Sequence, residues 1–202
     1  MEKYIWSLDL STTNVGSALW NSEGKLIEMK HLILNVEKSV PKETRDIHKA
    51  NNFKNYCIAY KKRIETELNG TIVNIVIEEP IGGSNNAFTV ALLHSFNGMC
   101  RYILHEVFDV YAMKISVADS RKLFLSEFVH SEKKKGIIVE VLSFPAAWKD
   151  QKKEYIRQKV ARLEPHIEWI LDKNGKIKDI NYDMSDSYCV GYAGLKIIGI
   201  IK

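Results

Sequence analysis

An aspartate inside an apolar run constrains this chain more than any other feature. The segment Tyr4-Ile5-Trp6-Ser7-Leu8-Asp9-Leu10-Ser11-Thr12-Thr13-Asn14-Val15-Gly16-Ser17-Ala18-Leu19-Trp20 reads as a strand, a tight polar turn and a second strand. Asp9 falls within the first strand. A carboxylate in such a place is costly unless it is paired or binds a metal. Asp also commonly caps polar turns, and Ser11-Thr12-Thr13-Asn14 follows directly. The segment alone leaves both roles open.

The rest of the chain supplies the frame. Residues 3–10, 15–21 and 25–34 read as three strands of an antiparallel meander, the last two joined by the turn Asn21-Ser22-Glu23-Gly24. From Lys42 to Leu68 the pattern turns helical, with Ile47, Ala50, Phe53, Cys57, Tyr60, Ile64 and Leu68 at three- and four-residue steps. Thr71 to Pro80 is β-branched and too short for a helix, so it reads as a buried parallel strand that ends on Glu78 and Glu79. A flexible polar loop is expected at 81–86, a helix at 87–107, and a strand at 110–117 followed by Asp119-Ser120-Arg121-Lys122. Strands alternating with helices predict right-handed βαβ units and an α/β class.

Further on, a short helix is expected at 123–129 and a basic loop at 130–135. Residues 137–144 fit either strand or helix. A helix at 149–163 carries a basic face, a hairpin is expected within 168–180, and a helix closes the chain from Asp183 to Ile200. With no repeat or linker, residues 1–202 read as one domain, with an insertion at about 127–148.

At 202 residues the chain is long enough for one sizeable core. Its net charge of +4 suits a polyanionic partner without requiring one. Three cysteines without Cys-x-x-Cys spacing argue against a zinc site or a disulfide framework and fit a reducing, cytoplasmic setting. No signal peptide is visible, and no run approaches the roughly 18 apolar residues of a membrane span.

Asp183 and Asp186 lie three apart at the start of the last helix and share a face. A helix N-cap and a partner for the positive helix end are ordinary roles for such a pair, and neither excludes metal binding. In an α/β sheet, strand ends and helix starts converge on one edge. Asp9, Glu78, Asp183 and Asp186 gathered there would repel one another until cations neutralised them. Oxygen-only ligands suit hard divalent cations, Mg²⁺ foremost where the substrate carries phosphate. Two such ions about 4 Å apart serve phosphodiester hydrolysis by activating water and stabilising the leaving oxygen.

The order of these elements resembles the RNase H-like nuclease fold, with its mixed five-stranded sheet flanked by helices. Within it the chain resembles the RuvC family of Holliday junction resolvases, phage and viral members especially. The matching pieces are Ser7-Leu8-Asp9-Leu10-Ser11 with Gly16, then Val76-Ile77-Glu78-Glu79-Pro80, then Asp183-Met184-Ser185-Asp186-Ser187. The resemblance implies an endodeoxyribonuclease that nicks branched DNA in pairs, as a homodimer, with two Mg²⁺ (or Mn²⁺) ions per site. It implies that Asp9 bridges both ions, that Glu78 holds the one that positions water, and that Asp183 and Asp186 complete the set. A two-fold dimer matches a two-fold junction. The helix at 87–107, with Gly98, is the expected dimer surface, partly by analogy with the family.

Two departures stand out. The family often carries an aromatic side chain shortly after its catalytic Glu, used to stack at the junction. Here Pro80, Ile81 and two glycines follow, and Phe88 reads as core rather than as a wedge. The stretch with Lys133-Lys134-Lys135 is longer than expected and reads either as a DNA-contacting insertion or as a solvated loop. Arg121, Lys122, Lys152, Lys153 and Arg157 are candidate phosphate contacts, which set affinity and register rather than sequence choice. Glu79 should point to the face opposite Glu78.

Two other functions fit parts of the sequence. Asp9 to Gly16 also looks like the first phosphate loop of actin-like and sugar-kinase-like ATPases. That fold needs two such domains and a second phosphate loop, which is missing here. A non-catalytic protein that binds branched DNA is the other alternative.

Overall fold

A computed structural model of the chain describes residues 1–80 and 86–202. The meander forms as β1 (Glu2–Leu10), β2 (Asn14–Asn21) and β3 (Leu26–Ile33), all paired antiparallel. One 3-10 turn at Lys42–Thr44 leads into α1 (Arg45–Thr66). The β-branched run becomes β4 (Gly70–Glu79), parallel to β1. α2 (Ala87–Phe108) then leads to β5 (Met113–Ser116), parallel to β4. The result is a mixed five-stranded sheet in the order β3-β2-β1-β4-β5. The polar loop expected at 81–86 lies outside the described residues except for Asn86, whose side chain caps α2 by accepting from the Phe88 and Thr89 amides.

Two-residue alternation sorts β1 and β4 between the sheet's faces. Tyr4, Trp6 and Leu8 of β1, with Ile75 and Ile77 of β4, pack against Phe53 and Tyr60 of α1 and Phe96 and Leu104 of α2. Trp6 stacks on Tyr60 at 4.7 Å. The other face presents Ile5, Ser7 and Asp9 of β1, then Val76 and Glu78 of β4. It is covered by α5 (Ile180–Ile197), flanked by α3 (Val117–Phe124) and α4 (Lys152–Leu163). A two-stranded ribbon, β6 (Val129–Lys134) with β7 (Ile137–Leu142), stands apart from the main sheet. No helix among the described residues is long and apolar enough to cross a membrane.

The structure corrects several boundaries. β5 ends at Ser116 because a helix opens at once: Ser116 Oγ accepts from the Asp119 amide at 3.1 Å and donates to the Asp119 carboxylate at 2.7 Å. Asp119 to Lys122, expected at the end of the strand, therefore lie on α3, and the short helix expected at 123–129 is replaced by the end of α3 at Phe124 and a 3-10 turn at Ser126–Phe128. The basic loop expected at 130–135 is strand β6, paired residue for residue with β7. Lys135 and Gly136, with φ of 49° and 85°, form its two-residue turn, and the positive φ of both residues is what such a tight turn requires. The hairpin expected at 168–180 reduces to a single bridge, Leu171 to Ile177, around an Asp172-capped turn. Phe88 is not core: it is 77% exposed on the first turn of α2.

Candidate active site: a carboxylate edge

β1 and β4 are in parallel register up to Leu8 and Ile77. The next residues, Asp9 and Glu78, therefore stand at neighbouring strand ends on the α5 face. Asp9 pairs across to Gly16 on β2. A Cβ at Gly16 would overlap the backbone carbonyl of Asp183, so glycine is what allows the start of α5 to lie directly on β2. That contact brings Asp183 over Asp9. Asp186, one turn further along α5, is 5% exposed. Neither aspartate is the helix N-cap, because α5 begins at Ile180, one turn earlier than expected. Asn181 fixes that earlier start: it is wholly buried and bonds the Ile170 amide and carbonyl and the Lys178 carbonyl.

The turn after β1 has no need of Asp9. Ser11 Oγ accepts from the Thr13 and Asn14 amides and donates to the Asn14 carbonyl. Two of the amides that a phosphate loop would offer are thereby already bonded, which weakens the ATPase alternative.

The four carboxylates feel one another. Burial, then the charges of Glu78, Asp186 and Asp183, hold the Asp9 carboxyl well above the usual carboxylate range, with Lys153 opposing them. Asp9 keeps a little accessible surface at the sheet edge, but protein atoms enclose it densely enough for burial to dominate. Burial and Asp186 push Glu78 up to about 7, against Arg121 and Lys153. Asp183 is raised by burial and Asp186, and lowered by Lys153 and by a hydrogen bond from Asn14.

Asp186 meets two cations: Arg121 Nη2 at 3.1 Å and Lys153 Nζ at 3.5 Å. Arg121 and Lys153 thus contact a carboxylate, a role the sequence reading did not foresee. The Ser116 cap was the available signal, since a helix starting there puts Arg121 one turn inside, toward α5. Among the described residues, no group of three or more acidic, histidine or cysteine side chains already stands at metal-holding distance. Asp186 is turned to its two cations. The donor set, all hard oxygens sharing excess negative charge, still fits divalent cations in kind.

A cleft of about 780 Å³ adjoins this edge, lined by Glu79, Arg121, Lys122, Lys152 and the β7 residues Glu140 to Leu142 among others. Lys122 and Lys152 line this cleft, next in sequence to Arg121 and Lys153, the two cations that contact Asp186. Arg157 is committed elsewhere: it pairs doubly with Glu154 and lies 5.3 Å from the Trp169 ring. Glu79 turns away from Glu78 and pairs with Lys114 at 2.8 Å.

No family model matches the sequence, and no curated protein matches it. Among solved structures, the chain is similar to RuvC of Thermus thermophilus, with a TM-score of 0.54 at 13% identity over 98% of each chain. It is also similar to T. thermophilus RuvC in complex with a Holliday junction substrate, with a TM-score of 0.52 at 10% identity, over 99% of this chain and 98% of that one. The yeast mitochondrial Holliday junction resolvase Ydc2 matches at a TM-score of 0.49 and 13% identity, over 94% of this chain and 76% of its own. The fold is that of the RNase H-like proteins, as the order of elements predicts.

Proposed function

We propose that the chain is a metal-dependent endodeoxyribonuclease that nicks branched DNA, four-way junctions above all. The observation that carries this reading is the gathering of Asp9, Glu78, Asp183 and Asp186 from β1, β4 and α5 at one sheet edge, each of the first three with raised proton affinity. Carboxylates so arranged hold protons when no stronger cation is offered and exchange them for divalent ions when one is. Two Mg²⁺ or Mn²⁺ ions bound there would supply an activated water and neutralise charge on the leaving oxygen.

The chain's own groups do the rest. Asp9, whose carboxyl feels the other three, would be the central ligand of the bound ions, and Glu78 lies at the adjacent strand end. Arg121 and Lys153 fix Asp186 and present positive charge beside the place a phosphodiester would occupy. Lys122 and Lys152 in the neighbouring cleft fit the continuing backbone. The fold's likeness to RuvC, one structure of which is in complex with a Holliday junction substrate, supports the choice of substrate.

A homodimer built on the outer face of α2 fits two symmetric cuts. There Ile47, Gly98 and Tyr102 line an open groove of about 450 Å³. Exposed Phe88, at the start of the same helix, fits stacking on an unpaired base.

The test is cleavage of a labelled four-way junction beside a linear duplex, in Mg²⁺, Mn²⁺ or EDTA, with Asp9→Asn in parallel. Metal-dependent paired nicks on the junction alone, reduced at least about 10³-fold in the mutant, are expected. Calorimetric titration with Mn²⁺ in the absence of DNA gives a second readout, and Asp9→Asn should abolish that binding. Junction binding without cutting in either metal would leave the non-catalytic alternative.

A further inference from the structure

We propose that the β6–β7 ribbon is a wedge that enters branched DNA at its branch point, with Ile137 and Ile138 as its apolar edge and the neighbouring lysines on the flanking phosphates. The proposal rests on the branched-DNA reading above and extends it to a part of the chain outside the carboxylate edge.

Four observations carry it. First, the tip is apolar where nothing covers it: Ile137 is 68% and Ile138 74% exposed. Second, the two isoleucines point to opposite faces of the ribbon. Ile137 pairs with Lys134 and Ile138 with Lys133, and cross-strand partners share a face while neighbours alternate. A partner lying against one face would leave the other isoleucine in water. A partner that takes the tip between two surfaces, as a pair of separated base pairs does, covers both. Isoleucine is among the side chains that proteins insert between base steps.

Third, the charge at the tip is complementary to DNA. Lys133, Lys134 and Lys135 surround the isoleucines, and among the described residues only Lys134 of the three is ion-paired, to Glu132 at 3.3 Å. Fourth, the ribbon is built to hold its shape. The two-residue turn at Lys135 and Gly136 keeps the tip narrow. At its base Phe128 packs on Tyr155 at 5.4 Å and Phe144 on Tyr155 at 6.0 Å. Tyr155 lies on α4, two residues beyond Lys153, which contacts Asp186. The ribbon's base and the carboxylate edge thus share one support. Six-residue strands carry the tip on the order of 20 Å outward from that base.

The experiment uses the full chain in EDTA and a four-way junction carrying 2-aminopurine at the branch point. Wild-type protein is expected to raise 2-aminopurine fluorescence severalfold, as unstacking does, and to prefer the junction to a matched duplex. I137T/I138T keeps β-branching and the lysines, so melting of the protein should be unchanged. It should lose most of the fluorescence rise and about tenfold of the junction preference, with duplex affinity kept. K133A/K135A should instead weaken both DNAs alike and flatten the salt dependence by a slope of about two.

An undiminished fluorescence rise and junction preference in I137T/I138T would overturn the wedge while leaving the nuclease reading standing. So would a change in oligomeric state of that variant by light scattering, which would make the tip a contact between copies. Wild-type protein that binds junction and duplex equally would overturn both readings together.

Discussion

Beneath α1 and α2, β1 and β4 present Trp6, Leu8, Ile75 and Ile77, all essentially without solvent contact. Beneath α5, alternate residues of the same strands are Ser7, Asp9, Val76 and Glu78. The first face is closed by aromatic stacking of Trp6 on Tyr60 and by aliphatic packing. The second buries Ser7, Ser185, Ser187 and Asn181, each satisfied by hydrogen bonds, and holds carboxylates that disfavour their own ionisation. One face thus contributes stability, and the other keeps groups whose charge works against folding until cations neutralise it. The difference arises within single strands, so it follows from two-residue alternation rather than from segregation along the chain.

The largest expected effect lies on the first face. Trp6→Ala should lower unfolding free energy by about 3–5 kcal/mol, read by urea denaturation, because it empties a large volume among Tyr60, Tyr56 and Phe108. A loss under about 1 kcal/mol would break the comparison at its stable end.

Glu78→Gln should act with the opposite sign. The native carboxyl titrates near 7 against an ordinary value of 4.5. Between those values the folded state keeps a proton that the unfolded state has released, so stability falls as pH rises through that window. At pH 8 without metal the variant should be more stable than wild type by up to about 3 kcal/mol for this displacement, reduced by the group's partial exposure. At pH 4 most of the gain should vanish, since both states of the wild type are then largely protonated. Melting curves at the two pH values check this, and destabilisation at pH 8 would contradict the assigned electrostatics. Asp9→Asn should share the sign.

A third substitution tests how the second face is assembled. Gly16→Ala puts a methyl group into the Asp183 backbone, not into a side chain that can swing away. It should cost about 1–3 kcal/mol as α5 is pushed off β2. Mn²⁺ binding should weaken more than that loss of stability explains. Equal metal affinity in a folded variant would mean that the approach of α5 at Gly16 does not set the site.

Much of this was legible in the residues. Apolar alternation in residues 3–10 and the β-branched run ending at Glu78 marked β1 and β4, because burial selects those side chains whatever surrounds them. Asp9 was conspicuous because a carboxylate in an apolar strand needs a reason. What was not legible depended on contacts between distant segments. Arg121 meets Asp186, 65 residues away, and only the docking of α3 on α5 brings them together. The true start of α5 is set by Asn181 bonding to Ile170, a tertiary contact with no local signature. The β6 half of the ribbon reads as a loop because Lys133 to Lys135 resemble a solvated run, and what makes Val129 to Lys134 a strand is pairing with the partner across the turn, β7, whose residues fit a strand or a helix in the sequence. The Ser116 cap was readable, since a serine followed three residues later by an acid is a helix-start signal.

The smallest expected effect makes the sharpest version of the comparison, because it concerns the residue next to Glu78. Glu79 has the same side chain, on the same strand, one position on, and alternation sends it to the other side. There it is 42% exposed and pairs with Lys114. That hydrogen bond and charge hold its carboxyl below the ordinary value, the reverse of Glu78. Its contribution to stability is therefore present above the ordinary carboxylate range and lost as pH falls through its own lowered value. An exposed pair of this kind is screened by salt and adds little. Glu79→Gln should leave the melting midpoint at pH 8 unchanged within error, with any small loss disappearing in 0.5 M salt, about fivefold above the ionic strength at which screening already acts over some 10 Å. Mn²⁺ binding and junction cleavage should match wild type, whereas Glu78→Gln should remove both. If the two variants behaved alike in metal binding, the strand would not be sorting its carboxylates by face, and the assignment of Glu78 over Glu79 would fail.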